Sequence, residues 1–143
     1  MTVRHILNEK GSDVVTLTPD VPISEAVAVL AKHRIGAIVV TNGAGVIKGI
    51  LSERDIVRRL AEDGANSLKE KVAEVMTANV KVCAEGHTIN EVMEIMTNGR
   101  FRHLPVERDG RLIGVISIGD VVKRRIAEVQ REAEEIRTYI ATA

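Results

Sequence analysis

Two segments of the 143-residue chain carry residue types that can hold a phosphorylated ligand. They are Gly49-Ile50-Leu51-Ser52-Glu53-Arg54-Asp55 and Gly114-Val115-Ile116-Ser117-Ile118-Gly119-Asp120. Each predicts a strand that turns at the serine into a helix. A helix N-terminus offers unpaired N–H groups and the positive end of a dipole, so it attracts phosphate. The serine hydroxyl can add a bond to the same group. The aspartate, with two acceptor oxygens, can hold both hydroxyls of a ribose. In the first segment Arg54 and Arg58 can supply charge-assisted bonds to phosphate oxygens. The same spacing is also a capping box, with serine as N-cap and an acid three residues on. On the motif alone both readings stand.

Little other chemistry is encoded. Cys83 is the single cysteine, which excludes an intrachain disulfide and any zinc site built on several thiolates. His5, His33, His87 and His103 lack metal-ligand spacing, and Gly43-Ala44-Gly45 lacks the rest of a dinucleotide fingerprint. No catalytic residue and no metal site is expected. Twenty basic residues balance twenty acidic ones, at a pI near 6.9, so no basic footprint for nucleic acid shows in the net charge. Phe101 and Tyr139 are the only aromatics, which leaves no platform for stacking bases. No apolar run approaches the ~20 residues that span a bilayer. The first ten residues lack the apolar stretch of a signal peptide. A cytoplasmic location, with no membrane association, is expected.

The two motifs belong to an internal repeat. Ile23, Glu25, Arg34 and Val40 fall on Ile89, Glu91, Arg100 and Val106, an offset of 66. Beyond the turn the offset is 65: Gly49, Ser52, Asp55 and Arg59 fall on Gly114, Ser117, Asp120 and Arg124. A short apolar prelude, Val3–Leu7, recurs as Val72–Met76. Each unit predicts a lead strand (Val14–Leu17; Val80–Cys83), a helix, a buried strand (Ala37–Thr41; His103–Glu107), a hairpin into Val46–Leu51 or Leu112–Ile116, and a second helix. The fold class is α/β: tandem β-α-β-β-α units packed sheet to sheet with pseudo-two-fold symmetry. The first unit takes residues 1–62, a connection 63–71, the second unit 72–128, and a helical tail 129–143. Val122, Ile126, Val129, Ala133, Ile136 and Ile140 form an apolar stripe along the last helix. Much of it lies outside the repeat, so a second subunit is expected to cover it.

His33-Arg34-Ile35-Gly36-Ala37-Ile38-Val39-Val40, its counterpart Gly99-Arg100-Phe101-Arg102-His103-Leu104-Pro105-Val106, the two serine–aspartate segments and Val75-Met76-Thr77 together resemble the CBS-domain pair, or Bateman module. The likeness is closest to stand-alone two-CBS proteins of bacteria and plant organelles, and it covers almost the whole chain. It implies two clefts, each taking an adenosine-containing ligand: AMP first, with ADP, ATP, NAD(H) or S-adenosylmethionine as alternatives. Asp55 and Asp120 would hold ribose, and Ser52 and Ser117 would approach phosphate. Val14, Val15, Ile50, Gly36 and Ala37 would line one adenine pocket. Val80, Lys81, Val115, Arg102 and His103 would line the other, the last two also reaching phosphate. The second unit has Gly119 where the first has Arg54, and Lys123 where it has Arg58, so the clefts are expected to differ. An unperturbed His103 would make affinity in the Asp120 cleft fall between pH 6 and 8. The resemblance implies a non-catalytic sensor that alters its own assembly, as a homodimer, or a separate partner that the sequence does not name. The alternative is a protein-binding adaptor, for example of a thioredoxin-type partner, with vestigial clefts.

Overall fold

A computed structural model describes residues 1–11 and 13–142. The first helix, α1 (Val3–Lys10), precedes β1 (Thr16–Leu17), α2 (Ile23–His33), β2 (Ala37–Thr41), β3 (Ile47–Ser52) and α3 (Glu53–Asp63). A 3₁₀ turn (Gly64–Lys69) leads to α4 (Val72–Val75), β4 (Cys83–Ala84), α5 (Ile89–Gly99), β5 (His103–Arg108), β6 (Arg111–Ser117) and α6 (Ile118–Thr142). Each unit forms a three-stranded sheet, in the orders β1-β2-β3 and β4-β5-β6. The lead strand pairs parallel to the central one, and the central strand pairs antiparallel to the third. The order of elements is therefore the one that periodicity predicts. The lead strands are shorter than expected: Val14 and Val15, like Val80 and Lys81, run ahead of the ladders.

Repetition extends to backbone detail. Arg34 and Arg100, matched in the repeat, both end their helices in the left-handed region, at φ 53° and 56°. The second hairpin turns through Asp109-Gly110, both at positive φ, as a tight two-residue connection requires.

The cores cross over. Ile23, Ala26, Leu30, Ile38, Val40, Leu51 and Ile56 of the first unit pack around Val72, from the second unit's prelude. Ile89, Val92, Met96, Leu104, Val106, Ile116 and Val121 of the second pack around Val3, Ile6 and Leu7, from the first unit's prelude. The backbone bonds are exchanged too. Val3 and Arg4 donate to the His87 and Glu85 carbonyls, while Val72 and Ala73 donate to those of Val21 and Pro19. Arg59 donates to the Glu74 carbonyl and Arg124 to that of His5. Val3 and Val72 are wholly buried, each worth roughly 1.5–3 kcal/mol. The connection is structured as well: Ser67 is buried, donates to the Gly64 carbonyl at 2.7 Å, and is followed by Leu68 packed on the first core.

This crossing explains the glycine that opens each motif. A Cβ on Gly49 would lie 2.7 Å from both the Thr77 carbonyl oxygen and Met76 Sδ, and one on Gly114 would lie 2.6 Å from Leu7 Cδ2. The glycines leave room for the other unit's prelude. Cys83 is buried, and burial pushes its thiol up to about 12, so it is a core residue and not a nucleophile.

Candidate functional site

At the start of α3, Ser52 Oγ accepts from the Asp55 N–H (3.2 Å) and Asp55 Oδ2 accepts from the Ser52 N–H (3.0 Å). At the start of α6 the same pair of bonds joins Ser117 and Asp120, at 3.1 and 2.9 Å. The capping boxes are thus formed. Each uses one carboxylate oxygen, and capping leaves the other available.

Around the first motif lies a cleft of about 640 Å³, walled by both units. It brings together Gly36, Ala37, Ile50, Ser52, Arg54, Asp55 and Arg58 with Val80, Lys81, Arg102 and His103. Five permanent cations line it, namely Arg54, Arg58, Lys81, Arg100 and Arg102, against two acids, Glu53 and Asp55. Low-dielectric walls lined by one sign of charge concentrate an oppositely charged ligand. The cleft therefore suits an anion beside an apolar strip and a hydroxyl-binding carboxylate.

Val14, Val15, Val115 and Ser117 line a second, smaller cleft of about 320 Å³, which Gly36, Ala37 and His103 line as well. Asp120 is not in it. That carboxylate faces a separate hollow of about 180 Å³ beside Lys123 and Arg124, and Gly119 lines neither. The expected grouping is therefore exchanged. Val80, Lys81 and Arg102 stand with Asp55, and Val14 and Val15 stand with Ser117, because each lead segment faces the serine of the other unit. Sequence reasoning also missed Thr77, Asn79, Arg100 and Phe101, which line the larger cleft. Arg100 was legible as the repeat of Arg34. Asn79 and Lys10 were legible by extending the prelude alignment three residues, since both keep the offset of 69 that relates Val3 to Val72.

His103 lies between the two clefts, its ring against Gly36: a Cβ there would sit 3.4 Å from Cε1. Burial, and next the charge of Lys10, push the imidazole below its ordinary value, with Glu53 and Asp120 opposing and Arg102 assisting. An imidazole shifted down has less to titrate between pH 6 and 8 than the unperturbed one on which the expected fall in affinity was based. Because the folded value is the lower one, the unfolded chain binds more protons between the two values, and stability rises with pH there. His103 thus contributes stability that is full above about 6.5 and lost as pH falls through the window beneath it. Denaturant midpoints measured from pH 7.5 to 5 should decline, and His103→Gln should flatten that decline. Equal slopes in both proteins would remove His103 as the cause.

Paired three-stranded sheets with matched serine–aspartate helix starts, and a cleft built from both halves, define a duplicated ligand-binding module. The CBS-domain pattern matches residues 3–62 and 72–127, and the chain belongs to the CBS-domain family. The crystal structure of the CBS-domain containing protein ATU1752 from Agrobacterium tumefaciens has a TM-score of 0.84 at 54% identity, over 87% of this chain and 99% of that one. The mitochondrial CBS domain-containing protein CBSX3 of Arabidopsis thaliana is 31% identical over 147 residues, 97% of this chain and 71% of its own. The CBS domain pair of protein MJ0100, solved with 5′-methylthioadenosine and S-adenosyl-L-methionine, has a TM-score of 0.79 at 25% identity, over 90% and 98% of the two chains. CBS-domain pairs are ligand-sensing regulatory modules and not enzymes. Among the described residues no helix is long and apolar enough to cross a membrane, and no cluster of three His, Cys, Asp or Glu side chains could hold a metal.

Proposed function

We propose that the Asp55 cleft binds a phosphorylated adenosine ligand, AMP or a close relative such as ADP, ATP or NAD(H), and that binding alters the chain's own assembly or its hold on a separate cytoplasmic partner. One observation carries this reading: a single cleft joins the Ser52–Asp55 helix start to five cations and to apolar walls from both units. Phosphate on the helix N-terminus, ribose on the free oxygen of Asp55, and adenine between Ile50 and Val80 would together bridge the two sheets. The ligands held by the MJ0100 pair support the adenosine part of this class, and the cations of the cleft support the phosphate. A bridging ligand shifts an equilibrium between shapes by the difference in its affinity for them.

Thermal unfolding with AMP, ATP and NADH tests this directly. Ligand at a hundred times its Kd should stabilise the folded chain by about 2.7 kcal/mol. No shift with any of the three would leave the adaptor reading, with the aspartates serving as caps.

Assembly as a homodimer belongs to the same proposal. Ile126, Val129, Ile136 and Ile140 are exposed on α6. With Val122 and Ala133 they advance by alternating steps of four and three residues, the 3.5-residue period of a coiled-coil seam. A second copy of α6 fits such a seam. Truncation after Glu128 should weaken self-association at least tenfold, read by sedimentation equilibrium. Unchanged association would move the interface elsewhere.

A further inference from the structure

Asp55 and Asp120 are matched in sequence and in capping geometry, yet among the described residues a lysine pairs with Asp120 and none with Asp55. Lys10, the last residue of α1, places Nζ 2.6 Å from Asp120 Oδ2, the oxygen that also accepts from the Ser117 N–H. Asn79, which the offset of 69 matches to Lys10, lines the Asp55 cleft and is uncharged. Lys10 lines both the 320 Å³ cleft holding Ser117 and the 180 Å³ hollow holding Asp120. It therefore divides a space that remains one cleft around Ser52 and Asp55. The end of α1 is fastened there by Glu9, which pairs with Arg124, while Gly11 at φ 93° turns the chain away. Burial pushes the Asp120 carboxyl up, but the Lys10 ammonium and the Ser117 N–H outweigh it and hold it below the usual carboxylate value. The pairing thus persists at neutral pH.

We infer that Lys10 is an internal occupant of the Asp120 cleft, so that each chain binds a single adenosine ligand, in the Asp55 cleft. Lys10 sits on the Asp120 carboxylate and separates the space beside Ser117 from the space beside Asp120, where phosphate and ribose would otherwise share one cleft. Lys10 is thus a specificity-determining residue that makes a symmetric repeat functionally asymmetric. The inference rests on the proposed nucleotide function, because it counts the ligands that function requires.

Equilibrium dialysis of AMP and ATP against the full chain tests it. The wild type should bind one equivalent. Lys10→Met should bind two, Lys10→Arg one, and Lys10→Met with Asp120→Ala one. Asp55→Ala alone should fall well below one equivalent at the ligand concentration that just saturates the wild type. Two equivalents on the wild type, or one on Lys10→Met, overturn the role of Lys10 while leaving the nucleotide function standing. No binding to the wild type or to Lys10→Met overturns the nucleotide function, and the role of Lys10 falls with it. Because Lys10 and Asp120 are partly exposed, their pairing contributes little to folding. Circular dichroism of Lys10→Met should match the wild type.

Discussion

Asp55→Ala should weaken AMP binding by about tenfold to a few hundredfold. A carboxylate holding two hydroxyls is worth roughly 1.5–3 kcal/mol, and every 1.4 kcal/mol is tenfold. The substitution also breaks a capping box, at a cost of about 1 kcal/mol of stability. Two readouts separate these effects. Calorimetry reads the affinity, and urea unfolding of the ligand-free protein reads the cap. Asp120→Ala is the natural control, since it removes the same capping bond from the other unit. If Lys10 occupies that cleft, Asp120→Ala loses comparable stability but leaves AMP affinity within about twofold, as expected for a site no ligand uses. Loss of stability without loss of affinity in Asp55→Ala would return the residue to a structural role.

Gly49→Ala should lower stability by about 1–3 kcal/mol, the usual cost of forcing a methyl group into filled space. The added carbon would meet the Thr77 carbonyl oxygen at 2.7 Å, and that backbone cannot move aside freely. Ile50 and Thr77 exchange two bonds there, at 3.0 and 2.9 Å, and both residues line the Asp55 cleft. The variant should therefore lose AMP affinity as well. Gly114→Ala should be milder, because its first obstacle is Leu7 Cδ2, the tip of a side chain that can rotate. Thermal unfolding of the two variants side by side checks the ranking. Equal costs would mean that backbone entropy, not the crossing prelude, explains both glycines.

The order of elements was legible because it rests on local patterns. Apolar spacing located the helices and strands, and duplication at offsets of 66 and 65 confirmed each unit by the other. Ser52, Asp55, Arg54 and Arg58 could be grouped for the same reason: one helix start positions all four. The partners of that group could not be read so directly. Val80, Lys81 and Arg102 reach Asp55 from the other unit, and a repeat relates equivalent positions without saying which copies face each other. The preludes Val3–Leu7 and Val72–Met76 illustrate the same limit. Their apolar character marks them as core, but only packing decides whose core, and the chain exchanges them. Lys10 lay just past the apolar prelude with no role assigned until the fold brought it 2.6 Å from Asp120, 110 positions away. The sequence by itself determined the two units, their secondary structure and the chemistry each helix start can offer, all set within a few residues. Which halves combine into a cleft, and which aspartate stays open, depended on contacts between distant segments, and only the tertiary structure decided them.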